Sequence, residues 1–276
     1  MGSFLLAVKS SFGFLSTIPV YITEEGFNEF NQRIYLYTFV GFVLGLIIGL
    51  FAFIFELLFP SMIGSFLIIA VIYYFTGFNH LDGLADMGDG LTAHGSVEKK
   101  ISAMKDVSLG IGGAAFCTIA IISLYASILS IKSETAFISS SSSEAAMIIF
   151  ASMVVSEIGA KQAMLTIAAF GKPVHDGMGA ITIESTTFPR YSAGLIFGAL
   201  VCIISFWLLG FGITGLIAFI ASIVSALVLL NVSNRHFGGL NGDGIGAANE
   251  IGRIVSLVIL TLMIKMISGG SEWMLL

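Results

Sequence analysis

Three aspartates carry the densest chemistry in the chain, in the stretch His80-Leu81-Asp82-Gly83-Leu84-Ala85-Asp86-Met87-Gly88-Asp89-Gly90-Leu91. Asp82, Asp86 and Asp89 are spaced i, i+4 and i+7, which on a helix confines them to an arc of about 60°. Like charges so placed repel unless a cation lies between them, and an all-oxygen donor set suits a hard ion such as Mg²⁺. A solvated acidic face is the ordinary reading of such spacing. The interleaved Gly83, Gly88 and Gly90 argue against it here, because each weakens a helix by about 1 kcal/mol relative to alanine and needs a reason such as close backbone approach. His80 stands just before the first aspartate, where it can contact phosphate, donate a proton or cap the preceding element.

Two glycine-bearing segments extend this chemistry. Phe237-Gly238-Gly239-Leu240-Asn241-Gly242-Asp243-Gly244-Ile245-Gly246-Ala247 holds one aspartate and leads into an apolar run, so helix amides and loop amides can together cradle an anion. Lys172-Pro173-Val174-His175-Asp176-Gly177-Met178-Gly179 reads equally as a substrate-facing turn and as a connector. Between Gly95 and Asp106, Ile101 and Met104 share one side of an amphipathic pattern, as in an interfacial helix. Its Lys99 and Lys100 suit polyphosphate or anionic lipid. Lys105, beside Asp106, is the better site candidate.

The elements that position these groups are set by composition. Of 276 residues, 57% are hydrophobic and 11% charged, with mean hydropathy +1.00, too few polar groups to cover a soluble globule of this size. Apolar runs long enough for a bilayer core cover Leu36 to Leu58, Met62 to Phe78, Ile111 to Ile131, Ala145 to Phe170, Tyr191 to Leu209, Ile213 to Val232 and Ile251 to Ile267. The expectation is an all-α polytopic membrane protein of about seven transmembrane helices, with residues 1–276 forming a single catalytic domain. Phe4 to Val20, interrupted by Lys9, Gly13 and Pro19, is expected to lie in the interface or re-enter. It lacks a cleavage site and is expected to be retained. Cys117 and Cys202 fall inside spans as ordinary small apolar side chains. Ser139 to Ser143 reads as a flexible connection.

Lysine and arginine are one-sided. Lys9, Arg33, Lys99, Lys100, Lys105, Lys172, Arg190 and Arg235 share the side of the N-terminus, and Lys132 and Lys265 fall on the other. The positive-inside rule makes the basic side cytoplasmic, with the N-terminus inside. Asn79 to Gly113, Gly171 to Arg190 and Asn234 to Glu250 all belong to that side. Glu157 and Lys161, i and i+4 within a span, are costly in lipid and read either as functional or as a self-neutralising pair.

In order along the chain these motifs resemble those of the cobalamin synthase family, the membrane adenosylcobinamide-GDP ribazoletransferases. Phe14-Leu15-Ser16-Thr17-Ile18-Pro19-Val20 is similar to the family's Phe-Leu-Thr-x-x-Pro-Val, and His80 to Gly90 to its His-x-Asp-Gly-Leu-Ala-Asp-x-x-Asp-Gly. Met104-Lys105-Asp106 followed by Gly110 resembles Met-Lys-Asp-Ser-Arg-x-Gly. Gly238-Gly239, Gly242-Asp243 and Gly246-Ala247 resemble Gly-Gly-x-x-Gly-Asp-x-x-Gly-Ala. This chain has Val107-Ser108-Leu109 where the family carries its arginine, which leaves Lys99 or Lys100 to supply that phosphate contact.

The resemblance implies a transferase in the cell membrane that joins adenosylcobinamide-GDP to α-ribazole, or its 5′-phosphate, and releases GMP. With the residue reading it makes Asp82, Asp86, Asp89 and Asp243 metal ligands for Mg²⁺, and Asp82, Asp243 and His80 catalytic. Lys105, Asp106, Lys99, Lys100, Gly238, Gly239 and Gly242 become substrate contacts. Beyond substrates and the bilayer, no nucleic acid is expected as a partner, and a homo-oligomer is compatible with the sequence. A secondary transporter is the competing class, favoured by Glu157 and Lys161 and by glycine-broken helices. A CDP-alcohol-phosphotransferase-like enzyme is the nearer alternative, but Asp82-Gly83-Leu84-Ala85 is followed by Asp86 where that pattern has arginine.

Overall fold

A computed structural model describes residues 2–269. Among them are twelve helices: α1 (Ser3–Leu15), α2 (Glu24–Asn31), α3 (Leu36–Leu58), α4 (Ser61–Thr76), α5 (Asn79–Thr92), α6 (Val97–Met104), α7 (Ile111–Ile138), α8 (Ser142–Phe170), α9 (Met178–Ser185), α10 (Phe188–Trp207), α11 (Thr214–Phe237) and α12 (Gly242–Ile267). No strand is present among the described residues; one isolated parallel bridge joins Pro173 and Leu240. Every expected apolar run is a helix. Five of them, α3, α7, α8, α10 and α11, are each long and apolar enough to cross a membrane, and α4 with α5, bent by 96°, counts as a sixth if the pair is taken as one span. α12 is 26 residues long but is not among these; Asn249, Glu250 and Arg253 occupy its buried half. The protein is multi-pass.

α8 is the axis of the bundle, buried along nearly its whole length, and α3, α12, α11 and α10 pack around it. Without a hydrophobic drive between helices in lipid, small residues let backbones close up. Gly41, Gly45 and Gly49 line one stripe of α3, and a Cβ at each would stand 2.6 Å from the Glu157 carbonyl, 2.7 Å from the Val154 Cα and 2.9 Å from the Phe150 carbonyl. α3 therefore descends antiparallel along α8 with these glycines close against its backbone.

The buried charges hold α8 to α12. Glu157 does not pair with Lys161 four residues away. Its Oε1 accepts from Arg253 Nε at 2.6 Å, Arg253 Nη1 also donates to Glu250 at 2.7 Å, and Lys161 Nζ donates to Asn249 Oδ1 at 2.7 Å. Glu157, Lys161 and Arg253 are each 0% exposed, and each finds a partner across the helix interface, Glu157 and Arg253 in one another and Lys161 in the amide oxygen of Asn249. Lys132, the other buried lysine, pairs with Glu56 at 2.8 Å.

Helix ends explain the remaining departures from expectation. Lys9 and Gly13 lie within α1 and do not interrupt it; at 13 residues it spans about 20 Å, too short to cross. It packs on α2 and α3. The chain beyond it holds the end of α4: Thr17 N donates to the Phe75 carbonyl at 2.9 Å and Thr17 Oγ1 to that of Tyr74 at 2.5 Å. Gly77, at φ 69° and ψ −174°, then takes a positive-φ extended conformation open to glycine, which ends α4. The serine run is not merely a flexible connection. Ser141 Oγ accepts from Glu144 N at 3.2 Å and Glu144 Oε2 accepts from Ser140 N at 2.6 Å, an arrangement close to a capping box at the start of α8.

A branched side chain on the α3 stripe should separate the two most extensively packed helices. Gly45→Val is expected to destabilise the protein by about 1–3 kcal/mol through overpacking, read as a lower Tm in detergent. Val228→Ala, at an exposed position on α11, should leave Tm near the parental value.

Candidate active site

The acidic motif forms α5, which leaves the break at Gly77 and runs antiparallel between the first turns of α7 and α12. Each glycine of the motif marks a contact. A Cβ on Gly83 would lie 2.8 Å from the Asp243 carbonyl and 3.0 Å from its Cα. One on Gly88 would lie 3.0 Å from the Gly112 carbonyl, and one on Gly90 would strike Met104 and Phe237. On the facing helix, Gly246 sits 3.3 Å, by the same measure, from the His80 Cα. The glycines are spent on bringing α5 against α12 and α7, and this delivers Asp243 to the acidic face.

The carboxylates then divide. Asp89 Oδ2 accepts from Gly110 N and Oδ1 from Gly113 N, both at 2.8 Å. It caps α7, whose own N-cap residue, Gly110, has no side chain to do so, and a carboxylate is favoured there by the helix dipole as well. Asp82 is exposed and Asp86 half-buried. The negative charges of Asp243, Asp82 and Asp89 all bear on Asp86. Asp243 lies in the first turn of α12, where Asn241 Oδ1 accepts from Gly244 N at 3.0 Å and Asn241 Nδ2 donates to Asp243 Oδ2 at 2.7 Å.

The second glycine loop and the Lys172 segment are stitched together. Leu240 N donates to the Lys172 carbonyl at 2.8 Å and Val174 N to the Leu240 carbonyl at 3.0 Å. Gly239 packs on that lysine's carbonyl and Gly179 on Gly242 N. The Lys172 segment is therefore part of the site wall, not a free connector, and Lys105 sets positive charge against Asp243. Gly238, at φ 75°, and Gly242 have open space where a side chain would stand, leaving room for an anion against the loop backbone.

The basic candidates are placed differently from one another. Lys105 is exposed at the end of α6. Asp106 Oδ1 accepts from Ser108 N at 2.9 Å and shapes the turn into α7. Lys99 is exposed, whereas Lys100 Nζ donates to His236 Nδ1 at 2.8 Å and ties α6 to α11. Buried Met104 closes α6 onto the acidic helix. His80 is 8% exposed and lies two residues from Asp82, hence about 160° around the helix. It faces α12, away from the open acidic side, and its Nδ1 has no partner among the described residues.

Among the described residues no three imidazole, thiol or carboxylate groups close into a metal cluster. The donor chemistry nonetheless suits Mg²⁺, which keeps several waters and takes one or two protein carboxylates together with substrate phosphates. Asp82 and Asp86, one turn apart with Asp243 across the seam, are such a pair. Sequence reasoning missed Tyr73, Asn249, Glu250 and Arg253, which lie below the site. Glu250 and Arg253, ionisable at i and i+3 at the mouth of an expected span, were the available signal. The transporter expectation needed Glu157 and Lys161 to be reachable groups; both are sealed and partnered.

Residues 7–261 match the family described as Cobalamin-5-phosphate synthase. A relative from Methanococcoides burtonii is 54% identical over 98% of this chain and 97% of its own length. One from Methanosarcina mazei is 51% identical over the full length of both chains. Both carry the name adenosylcobinamide-GDP ribazoletransferase. No solved structure gives a significant match. With its acidic helix, glycine loops and membrane bundle accounted for, the chain belongs to the cobalamin-5-phosphate synthase family.

Proposed function

We propose that this chain is an adenosylcobinamide-GDP ribazoletransferase, joining adenosylcobinamide-GDP to α-ribazole or its 5′-phosphate in the lower-ligand step of cobalamin assembly. One observation carries the reading beyond the family match: the Gly83 contact brings Asp243 of α12 to the acidic face of α5, so carboxylates and a loop with room for an anion share one surface. The ribose 3′-hydroxyl oxygen bonds to the phosphorus that carries cobinamide, and the bond from that phosphorus to the GMP oxygen breaks. GMP leaves with the bonding electrons. Asp243 is positioned to take the hydroxyl proton, one of its oxygens being steadied by Asn241.

Asp82 and Asp86 would hold Mg²⁺, with Asp243 and Asp89 completing the negative field. Bound there, the ion supplies charge neutralisation on the pyrophosphate and orients an in-line attack. Lys105 and the open backbone at Gly238 and Gly242 bind phosphate oxygens, and Gly239 sets the loop's approach. Lys99 and Lys100 flank the entry along α6. His80 supports the reaction from the buried side of α5. The participating segments run from Asn79 to Glu250, so the catalytic unit is the whole membrane domain. The site faces the cytoplasm with the N-terminus inside; the excess of lysine and arginine at this end supports that orientation, and Lys132, buried against Glu56, adds no charge to the opposite loops.

Purified protein in liposomes with Mg²⁺, adenosylcobinamide-GDP and α-ribazole 5′-phosphate should release GMP. Asp82→Asn and Asp86→Asn should each lose at least about a hundredfold in kcat while remaining inserted, and the thermal stabilisation given by Mg²⁺ should shrink in both. Parental turnover and parental stabilisation in both variants would remove the metal assignment. Absence of GMP from the parent would remove the function.

The orientation is checked by labelling single cysteines at Ser96 and Ser141 in a variant lacking Cys117 and Cys202. Ser96→Cys should be protected from an impermeant reagent in intact cells and Ser141→Cys should react. The reverse pattern inverts the topology.

A further inference from the structure

The site works only if the carboxylates of α5 and Asp243 of α12 keep a fixed separation, yet α5 begins just after a 96° break from α4. Something must fix where it starts. Tyr73, in the last turn of α4 and 6% exposed, touches both sides of that problem. Its ring stacks on Phe78, the residue that precedes α5, with centroids 5.3 Å apart and planes 12° from parallel. Its hydroxyl donates to Glu250 Oε2 on α12 at 3.1 Å.

Glu250 is itself immobilised. Oε1 accepts from Arg253 Nη1 at 2.7 Å and from Asn249 Nδ2 at 2.9 Å. Asn249 is held by Lys161, and Arg253 by Glu157, both on the central helix α8. A chain of contacts thus runs from α8 through Glu250 to the Tyr73 hydroxyl, and through its ring to Phe78, the residue that precedes the acidic helix. Seven residues separate Asp243 from Glu250, or about 10 Å along α12. The anchor therefore lies two turns beneath the chemistry and touches none of it.

We propose that Tyr73 is a positioning residue of the transferase, registering the carboxylates of α5 against Asp243 through its hydrogen bond to Glu250. The proposal rests on the function assigned above. Tyr73→Phe isolates the claim, because phenylalanine keeps the stack on Phe78 and removes only the hydroxyl. Glu250 Oε2 then loses a buried donor and α5 loses its register.

Two readouts in liposomes test it. In steady-state assays Tyr73→Phe should lower kcat about tenfold, with KM for adenosylcobinamide-GDP within about twofold of parental, since an interaction felt only in the assembled transition state appears in kcat. Spin labels at Thr92→Cys on α5 and Val258→Cys on α12, in a variant with Cys117→Ala and Cys202→Ala, should give a narrow distance distribution that Tyr73→Phe broadens or shifts. A parental distance distribution overturns the proposal whatever the rate. Parental kcat overturns it whatever the distance, and a lower Tm with parental kcat reduces Tyr73 to a packing residue. If Tyr73→Phe fails to insert, Glu250→Asp, which withdraws the carboxylate from the hydroxyl but keeps its charge, is read by the same criteria. A parent that releases no GMP defeats the functional assignment, and the distance measurement still decides whether Tyr73 sets the register.

Discussion

The structure depends on the approach of α5 to the first turn of α12, where the backbone of Asp243 lies against Gly83 with no side chain between. Two helices ordinarily pack 8–10 Å apart because side chains separate them. Here glycines on both, Gly83 and Gly246, remove that spacer at adjacent turns, and Asp243 joins the aspartates of α5. The gain in proximity concentrates negative charge at the edge of a low-dielectric bundle. That charge is tolerable in the presence of a cation or beside the donors of the phosphate loop, and it resists closure otherwise. One arrangement therefore explains both why the helix carries so many glycines despite their cost and why the surrounding loops are basic or rich in free amides.

The membrane makes the supporting interactions strict. Buried Arg253 and Lys161 cannot reach water, so their partners on the opposite helix decide how α8 and α12 lie against one another. A second fixed point comes from Asp89, whose two oxygens satisfy amides at the start of α7. α5 is held from α12 on one side and from α7 on the other, and Thr17 and Tyr73 fix the turn from which it starts.

Much of this was legible in the sequence and some was not. The acidic face, the two glycine loops, the side of the membrane they share and the helical spans follow from periodicity and from charge placement, which are local properties. The shared face at Asp82, Asp86 and Asp89 was readable, but the use of Asp89 as a cap for α7 was not, because its partners Gly110 and Gly113 are more than twenty residues away in sequence and are backbone groups without a signature. Glu157 and Lys161 looked like a pair because i, i+4 is the only partner search a single helix permits. The actual partners, Arg253 and Asn249, come from α12, and the pattern within α8 carries no sign of them. Ser141 and Glu144 were legible in principle as a capping signature and were hidden inside a low-complexity serine run.

Turnover of Gly83→Ala tests most directly whether the approach of α5 to Asp243 creates the site. Alanine favours a helix by about 1 kcal/mol over glycine, so a loss cannot come from a weakened α5. The added methyl must instead displace α5 from Asp243. GMP release should fall by at least about tenfold in a variant that still inserts, and its stabilisation by Mg²⁺ should shrink. Parental turnover together with parental Mg²⁺ stabilisation would contradict the account.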